Sequence, residues 1–111
     1  NILTSENNKI SISEKEDSEE IKIIDINENI ISTSADGISI TSKKDISLNS
    51  EGKFIVDAKD GIEFGSDNDI SLNGNNINLK ANSKFSANGG SSSEVTSSGN
   101  TTIKGSSVAI N

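Results

Sequence analysis

Cysteine, histidine, proline, methionine, tryptophan, tyrosine and arginine are all missing from the 111 residues, and phenylalanine occurs three times. Without Cys or His there is no thiol nucleophile, no disulfide, no zinc or haem ligand set and no Ser-His-Asp machinery. A net charge of −7 argues against nucleic-acid binding, because phosphate contacts need a basic stripe. No apolar run approaches the roughly 18 residues of a membrane span, and no signal-peptide pattern opens the chain. The first residue is not Met, so a fragment of a longer chain or a processed product is expected.

What is present is lopsided. Of 33 apolar residues, 18 are isoleucine, whereas Ser, Asn and Thr together number 42. High Ser and Asn with few aromatics resemble a disordered chain, yet such chains are poor in β-branched residues. Isoleucine favours strands, since its stiff branched side chain packs well on a pleated surface. With so few Leu, Phe and Trp, the apolar residues must be used in a repetitive, economical way.

That repetition is visible. From Ile30, apolar residues come in pairs separated by one residue: Ile30/Ser32, Ile38/Ile40, Ile46/Leu48, Phe54/Val56, Ile62/Phe64 and Ile70/Leu72, each eight residues after the last. A step of seven leads to Ile77/Leu79, steps of eight to Phe85/Ala87, Ser93/Val95 and Thr101/Ile103, and a step of seven to Val108/Ile110. Of these 22 positions 19 are apolar, where composition alone would supply about 7. Alternation over three positions marks a strand, and the intervening Gly, Asn, Asp, Ser and Lys mark a turn. Nine glycines fall around the pairs, where sharp corners call for positive φ. Asn73-Gly74 and Asn88-Gly89 also suit two-residue hairpin turns.

A three-residue strand cannot stand alone, and repeat units bury their apolar faces by stacking on neighbours. Solenoid coils take about 20 residues to close around a core, so eight cannot close one but three chains of eight can. The pattern therefore predicts an all-β homotrimer over residues 30–111. Three chains wind about one axis as an intertwined triple-stranded β-helix, with its octads rising roughly 50 Å in all. Its expected core is Ile38, Ile40, Ile46, Leu48, Phe54, Val56, Ile62, Phe64, Ile70, Leu72, Ile77, Leu79, Phe85, Ala87, Val95 and Ile103. From Ala81 to Gly99, small inward residues such as Ser93 predict a narrower or wetter lumen. Residues 1–29 do not follow the octad. Lys9–Ser13 alternates, Glu14–Glu20 is charged and Ile21–Ile26 is apolar-rich, which predicts a β-hairpin collar with an acidic loop.

The octads, and above all the ending from Ala87 through Thr101-Thr102-Ile103-Lys104-Gly105 to Ile110-Asn111, resemble the C-terminal needle of VgrG-type spike proteins. These are relatives of the central baseplate spike of contractile-tailed phages, found also in type VI secretion and extracellular contractile injection systems. The resemblance covers about 30–111 well and the hairpin more loosely. It implies a non-enzymatic trimeric spike, part of a contractile injection particle, that pierces a target envelope and touches the membrane only transiently. It also implies a tail-tube or baseplate hub on the N-terminal side and a PAAR-repeat tip protein at the C-terminal end. The last strand has no layer above it, so Val108, Ile110 and Asn111 are the expected docking face. Family members with a metal-binding tip use His-x-His, and this chain has no His. Neither cofactor nor metal is expected.

Other chemistry is weakly signalled. Asp57, Asp60 and Glu63 could be offered as paired carboxylates but read better as turn and outer-face charges. Asp67-Asn68-Asp69 opens like a calcium loop but has Leu72 and Asn78 where that loop needs Gly and Glu. Asn100-Thr101-Thr102 matches a glycosylation sequon, rarely used in a bacterial or phage chain. The alternative function is a trimeric β-fibre segment of an adhesin or receptor-binding protein, for which exposed aromatics would be expected. All three Phe fall in inward slots instead.

Overall fold

The computed structural model describes residues 2–3 and 7–111. Among these the chain is all-β, with no helix. It divides into two units, Asn1–Ile62 and Glu63–Asn111.

The first unit carries an antiparallel meander of five strands in sequence order: β1 (Ile2–Leu3), β2 (Lys9–Ser13), β3 (Glu20–Ile24), β4 (Ile30–Ser34) and β5 (Gly37–Thr41). β2 and β3 pair as a hairpin across the acidic loop, with Ile10 opposite Ile23 and Ile12 opposite Ile21. The sheet does not stop at residue 29. β4 pairs with β3 and β5 with β4, so the first two octads lie in the same sheet as the hairpin.

Register sorts the side chains. Directly opposed residues share a face and successive residues alternate. Ile2, Ile10, Ile12, Ile21, Ile23, Ile31, Ile38 and Ile40 therefore lie on one face, with Thr33 the sole polar member. Lys9, Ser11, Ser13, Glu20, Lys22, Ser32, Ser34, Ser39 and Thr41 share the other face with the opposed pair Ile24 and Ile30. On that face the Ser32 and Ser39 hydroxyls meet at 2.8 Å.

This corrects one expectation. Ile30/Ser32 is not in phase with Ile38/Ile40, because it lies on the opposite face of the sheet. The two-residue turn at Ala35-Asp36 pairs Ile30 with Thr41 and Ile31 with Ile40, so Ile31 joins the isoleucine face instead. A shift of one residue exchanges the faces of a strand. Gly37 enters β5 at φ +113, a conformation that side-chain-bearing residues rarely adopt.

The β3–β4 turn is organised by Asp25. Its Oδ1 accepts from the backbone N–H groups of Asn27 (3.0 Å) and Asn29 (2.9 Å), while its Oδ2 accepts from the Asn29 side-chain amide (3.0 Å). Backbone bonds from Asp25 N–H to the Asn29 carbonyl and from Glu28 N–H to the Asp25 carbonyl close the turn, with Glu28 at φ +66. Asn29 then reaches forward. Its Oδ1 accepts from the Ser42 hydroxyl and from the Lys43 N–H, both at 3.1 Å. One side chain thus ties the turn to the segment that leaves β5. Replacing Asn29 by Ala removes bonds to both sides and should cost about 1–2 kcal/mol, read as a lower urea midpoint at fixed chain concentration.

The Asn29 backbone N–H, opposed by burial and helped by the Asn29 and Asn27 side chains and the Asn27 N–H, holds the Asp25 carboxyl below its ordinary 3.8. A lowered folded pKa means that this group stabilises the turn fully above about pH 4. The contribution fades as pH falls below 3.8 through the folded value. Acid melts of the wild type and Asp25→Asn should therefore converge below that range. A gap between them that stays constant down to pH 2 would refute the assignment.

Candidate functional site

Beyond Thr41 the structure becomes periodic without becoming a sheet. Among the described residues no backbone–backbone hydrogen bond is made by residues 42–111. The chain nevertheless bends at 43–44, 51–52, 59–60, 67–68, 75, 82–83, 90–91, 98–99 and 106. Counted from its last residue, each bend follows the one before by eight residues, except that 75 follows 68 and 106 follows 99 by seven. Those are the two places where the apolar pairs shorten their step, from Ile70/Leu72 to Ile77/Leu79 and from Thr101/Ile103 to Val108/Ile110. Backbone and side-chain pattern thus keep the same count.

The residue just before each bend is always small: Ser42, Ser50, Ala58, Ser66, Gly74, Ala81, Gly89, Ser97 and Gly105. Where it is serine, its hydroxyl oxygen accepts the N–H two residues on. Ser42 serves Lys44, Ser50 serves Gly52, Ser66 serves Asn68 and Ser97 serves Gly99, at 3.1–3.2 Å. Ser34 does the same for Asp36 at the β4–β5 turn. A serine that satisfies the backbone locally is a turn-forming device that competes with continued strand. Small size at this position has a second reason. It lies two residues beyond the apolar pair, on the same side of an extended segment, where a corner leaves little room.

Glycine plays a smaller part at the corners than expected. Only Gly37 and Gly61 among the nine have positive φ, and serine hydroxyls serve four of the nine bends. Gly89 is a separate case, because a Cβ there would collide with the Ser92 carbonyl, while its N–H donates to Ser93 Oγ at 3.1 Å. The Asn73-Gly74 and Asn88-Gly89 dipeptides are not flanked by paired strands, so neither forms the alternative hairpin.

The apolar pairs form the candidate site, and its defining property is exposure. No side chain among the described residues is buried. Every large apolar residue from Ile46 onward is exposed, from 47 % at Ile62 to 85 % at Ile110. The chain presents 11432 Å² of surface, about twice the roughly 5,800 Å² expected of a folded monomer of 11.6 kDa. Full burial of one Ile, Leu or Phe is worth about 1.5–3 kcal/mol, and a lone copy forgoes much of that at each pair. The three terminal residues Val108, Ile110 and Asn111 are exposed in the same way.

Asp57, Asp60 and Glu63 are each exposed, and no His, Cys, Asp or Glu group able to hold a metal ion occurs among the described residues. Lys43 meets Glu28 at 3.7 Å on the surface, a contact of small energetic weight. No helix among the described residues is long and apolar enough to cross a membrane. Compared with known protein families and with characterised proteins, the chain matches none.

Paired substitutions separate an isolated chain from an associated one. Ile70 is 59 % exposed in the lone chain, so Ile70→Asp would be nearly neutral there. Association through the apolar pairs instead predicts that Ile70→Asp abolishes assembly, because unpaired charges are forced into one layer. Ser71→Asp, one residue on, should leave assembly intact. Sedimentation of the two variants at equal concentration decides, and equal assembly would remove Ile70 from the interface.

Proposed function

We propose that this chain is the trimeric needle of a contractile injection machine, a structural spike with no catalytic role. One observation carries the proposal: an eight-residue cadence of apolar pair and bend, in a stretch with no strand pairing of its own and no buried side chain. Backbone N–H and C=O groups in strands need partners, and apolar pairs need cover. Three identical chains supply both, each lending one side of eight residues to every turn of a 24-residue coil. The interior of that coil is then built from the pairs Ile46/Leu48 to Thr101/Ile103, and its edges are closed by pairing between chains.

The resemblance of the Ala87–Asn111 ending to VgrG-type needles supplies the biological setting. In that setting the spike sits at the front of a phage tail, a type VI secretion apparatus or an extracellular injection particle. The hub lies on the N-terminal side, and the exposed Val108, Ile110 and Asn111 form the seat for a PAAR-repeat tip protein. Force is transmitted along the axis. A continuous core without cofactor or hinge suits that task, because fraying any layer breaks pairing among three chains and core contact together.

Native mass spectrometry is the first test. A mass of three times 11.6 kDa that survives strong dilution is expected. A monomer under those conditions would overturn the closed three-chain coil. The setting is tested separately, with an antibody to the octad region applied to particles from the producing cell and viewed by electron microscopy. Label at the particle tip is expected, whereas label along lateral fibres would favour the adhesin reading.

A further inference from the structure

The five-stranded sheet poses a problem that the needle alone does not solve. Its isoleucine face carries eight isoleucines and one threonine, with no charge. In the lone chain that face is the more open one: Ile12 is 63 % exposed and Ile38 77 %, while Lys9, Ser11 and Lys22 on the other face are half-buried. This inverts the usual arrangement of a one-sided antiparallel sheet, in which the apolar face is packed and the polar face solvated. A patch of this kind marks an interaction surface.

We infer that the isoleucine face is a self-association surface, covered by the same face of further copies of this chain, so that the sheet forms a second oligomerisation element distinct from the octads. The inference deepens the trimeric reading and rests on it for the number of copies. Three observations select another copy over a foreign partner. The face runs into the octad series without a break, because Ile38 and Ile40 belong to both. Ile46, the next position in the series, lines one depression together with Ile23, Ile31 and Ile40 and with the polar Asp25, Asn29 and Asp45, so the sheet face continues into the octads beside two carboxylates. The Asn29 bonds to Ser42 and Lys43 fix the departing chain against the sheet, so whatever covers Ile46 also approaches the sheet. Charge agrees with this. With no charged side chain on the face, identical copies meet without like-charge repulsion, although the chain carries −7 overall. β5 also offers an edge with no partner strand among the described residues and no charge or Pro to guard it.

The chain has no cysteine, so single-cysteine variants report cleanly. Ile12→Cys probes the isoleucine face, Ser11→Cys the opposite face and Ile70→Cys the octads, each in the full purified chain. Maleimide labelling rates are measured together with the native mass. Purified protein contains no other polypeptide, so protection can come only from copies of the chain. The inference expects Ile12→Cys and Ile70→Cys to label at least ten times more slowly than Ser11→Cys, in a discrete oligomer, with protection lost in urea. Rapid labelling of Ile12→Cys beside a protected Ile70→Cys would overturn the inference and leave the needle standing. Protection at Ile12→Cys with a freely labelled Ile70→Cys would uphold the sheet surface and overturn the needle. Rapid labelling at both, or protection only in polydisperse aggregate, would overturn the sheet surface.

Discussion

Everything in this structure depends on apolar surface that one chain cannot bury by itself. A chain of 11.6 kDa presenting 11432 Å² has roughly 5,600 Å² more surface than a folded monomer of its mass, and its isoleucines lie on that surface. The excess is on the scale of the largest obligate interfaces. Conformational entropy of about 1–2 kcal/mol per ordered residue has to be offset, and a chain without a core has little to set against it. Cover from other copies, as proposed, would supply what orders residues 42–111. The local serine bonds at the bends choose where the chain turns, but single exposed hydrogen bonds of about 1 kcal/mol cannot hold seventy residues in place.

Two ways of handling strand backbone meet at Ser42. Up to Thr41 the chain pairs with itself, because turns of suitable length return each strand beside the last. From Ser42 onward bends recur every seven or eight residues, and the backbone groups make no bonds to one another. The Asp25–Asn29 turn stands at this changeover, joined to both sides. Apolar residues bridge it too. Ile38 and Ile40 close the isoleucine face of the sheet and open the series that continues through Ile46 and Leu48, so one apolar surface passes from one regime to the other.

Much of this was legible in the residues. The Ile-x-Ile spacing and its seven-residue step at Ile77 anticipate the bends, since the period of the pattern and the period of the backbone share one cause. The Lys9–Ser13 alternation and the apolar-rich Ile21–Ile26 stretch point to strands on either side of the acidic run. What was misread is equally physical. Counting eights puts Ile30 in phase with Ile38, but a two-residue turn between antiparallel strands pairs Ile31, not Ile30, with Ile40. Counting along a chain cannot reveal a face that is set by pairing across it. The serine corners are less conspicuous in the sequence than its nine glycines. A column of Ser, Ala and Gly two residues after every pair was the signal that could have found them.

The proposed assembly also explains why so narrow a set of residues suffices. In a three-chain coil every position occurs three times at one height, so any side chain is judged in triplicate. An inward residue must fit against two copies of itself, which favours compact β-branched groups with one preferred rotamer and disfavours charge and long flexible chains. An outward residue faces water on three separate sides and is free to vary, as Ser47, Ile55, Glu63 and Asn78 show between the members of successive pairs. The corner position must clear both the axis and the neighbouring chain, which leaves Ser, Ala and Gly. Proline is excluded throughout, because an N–H surrendered in one chain opens a gap in the pairing of all three. On this account an isoleucine-rich, aromatic-poor composition reflects threefold repetition acting on an eight-residue unit.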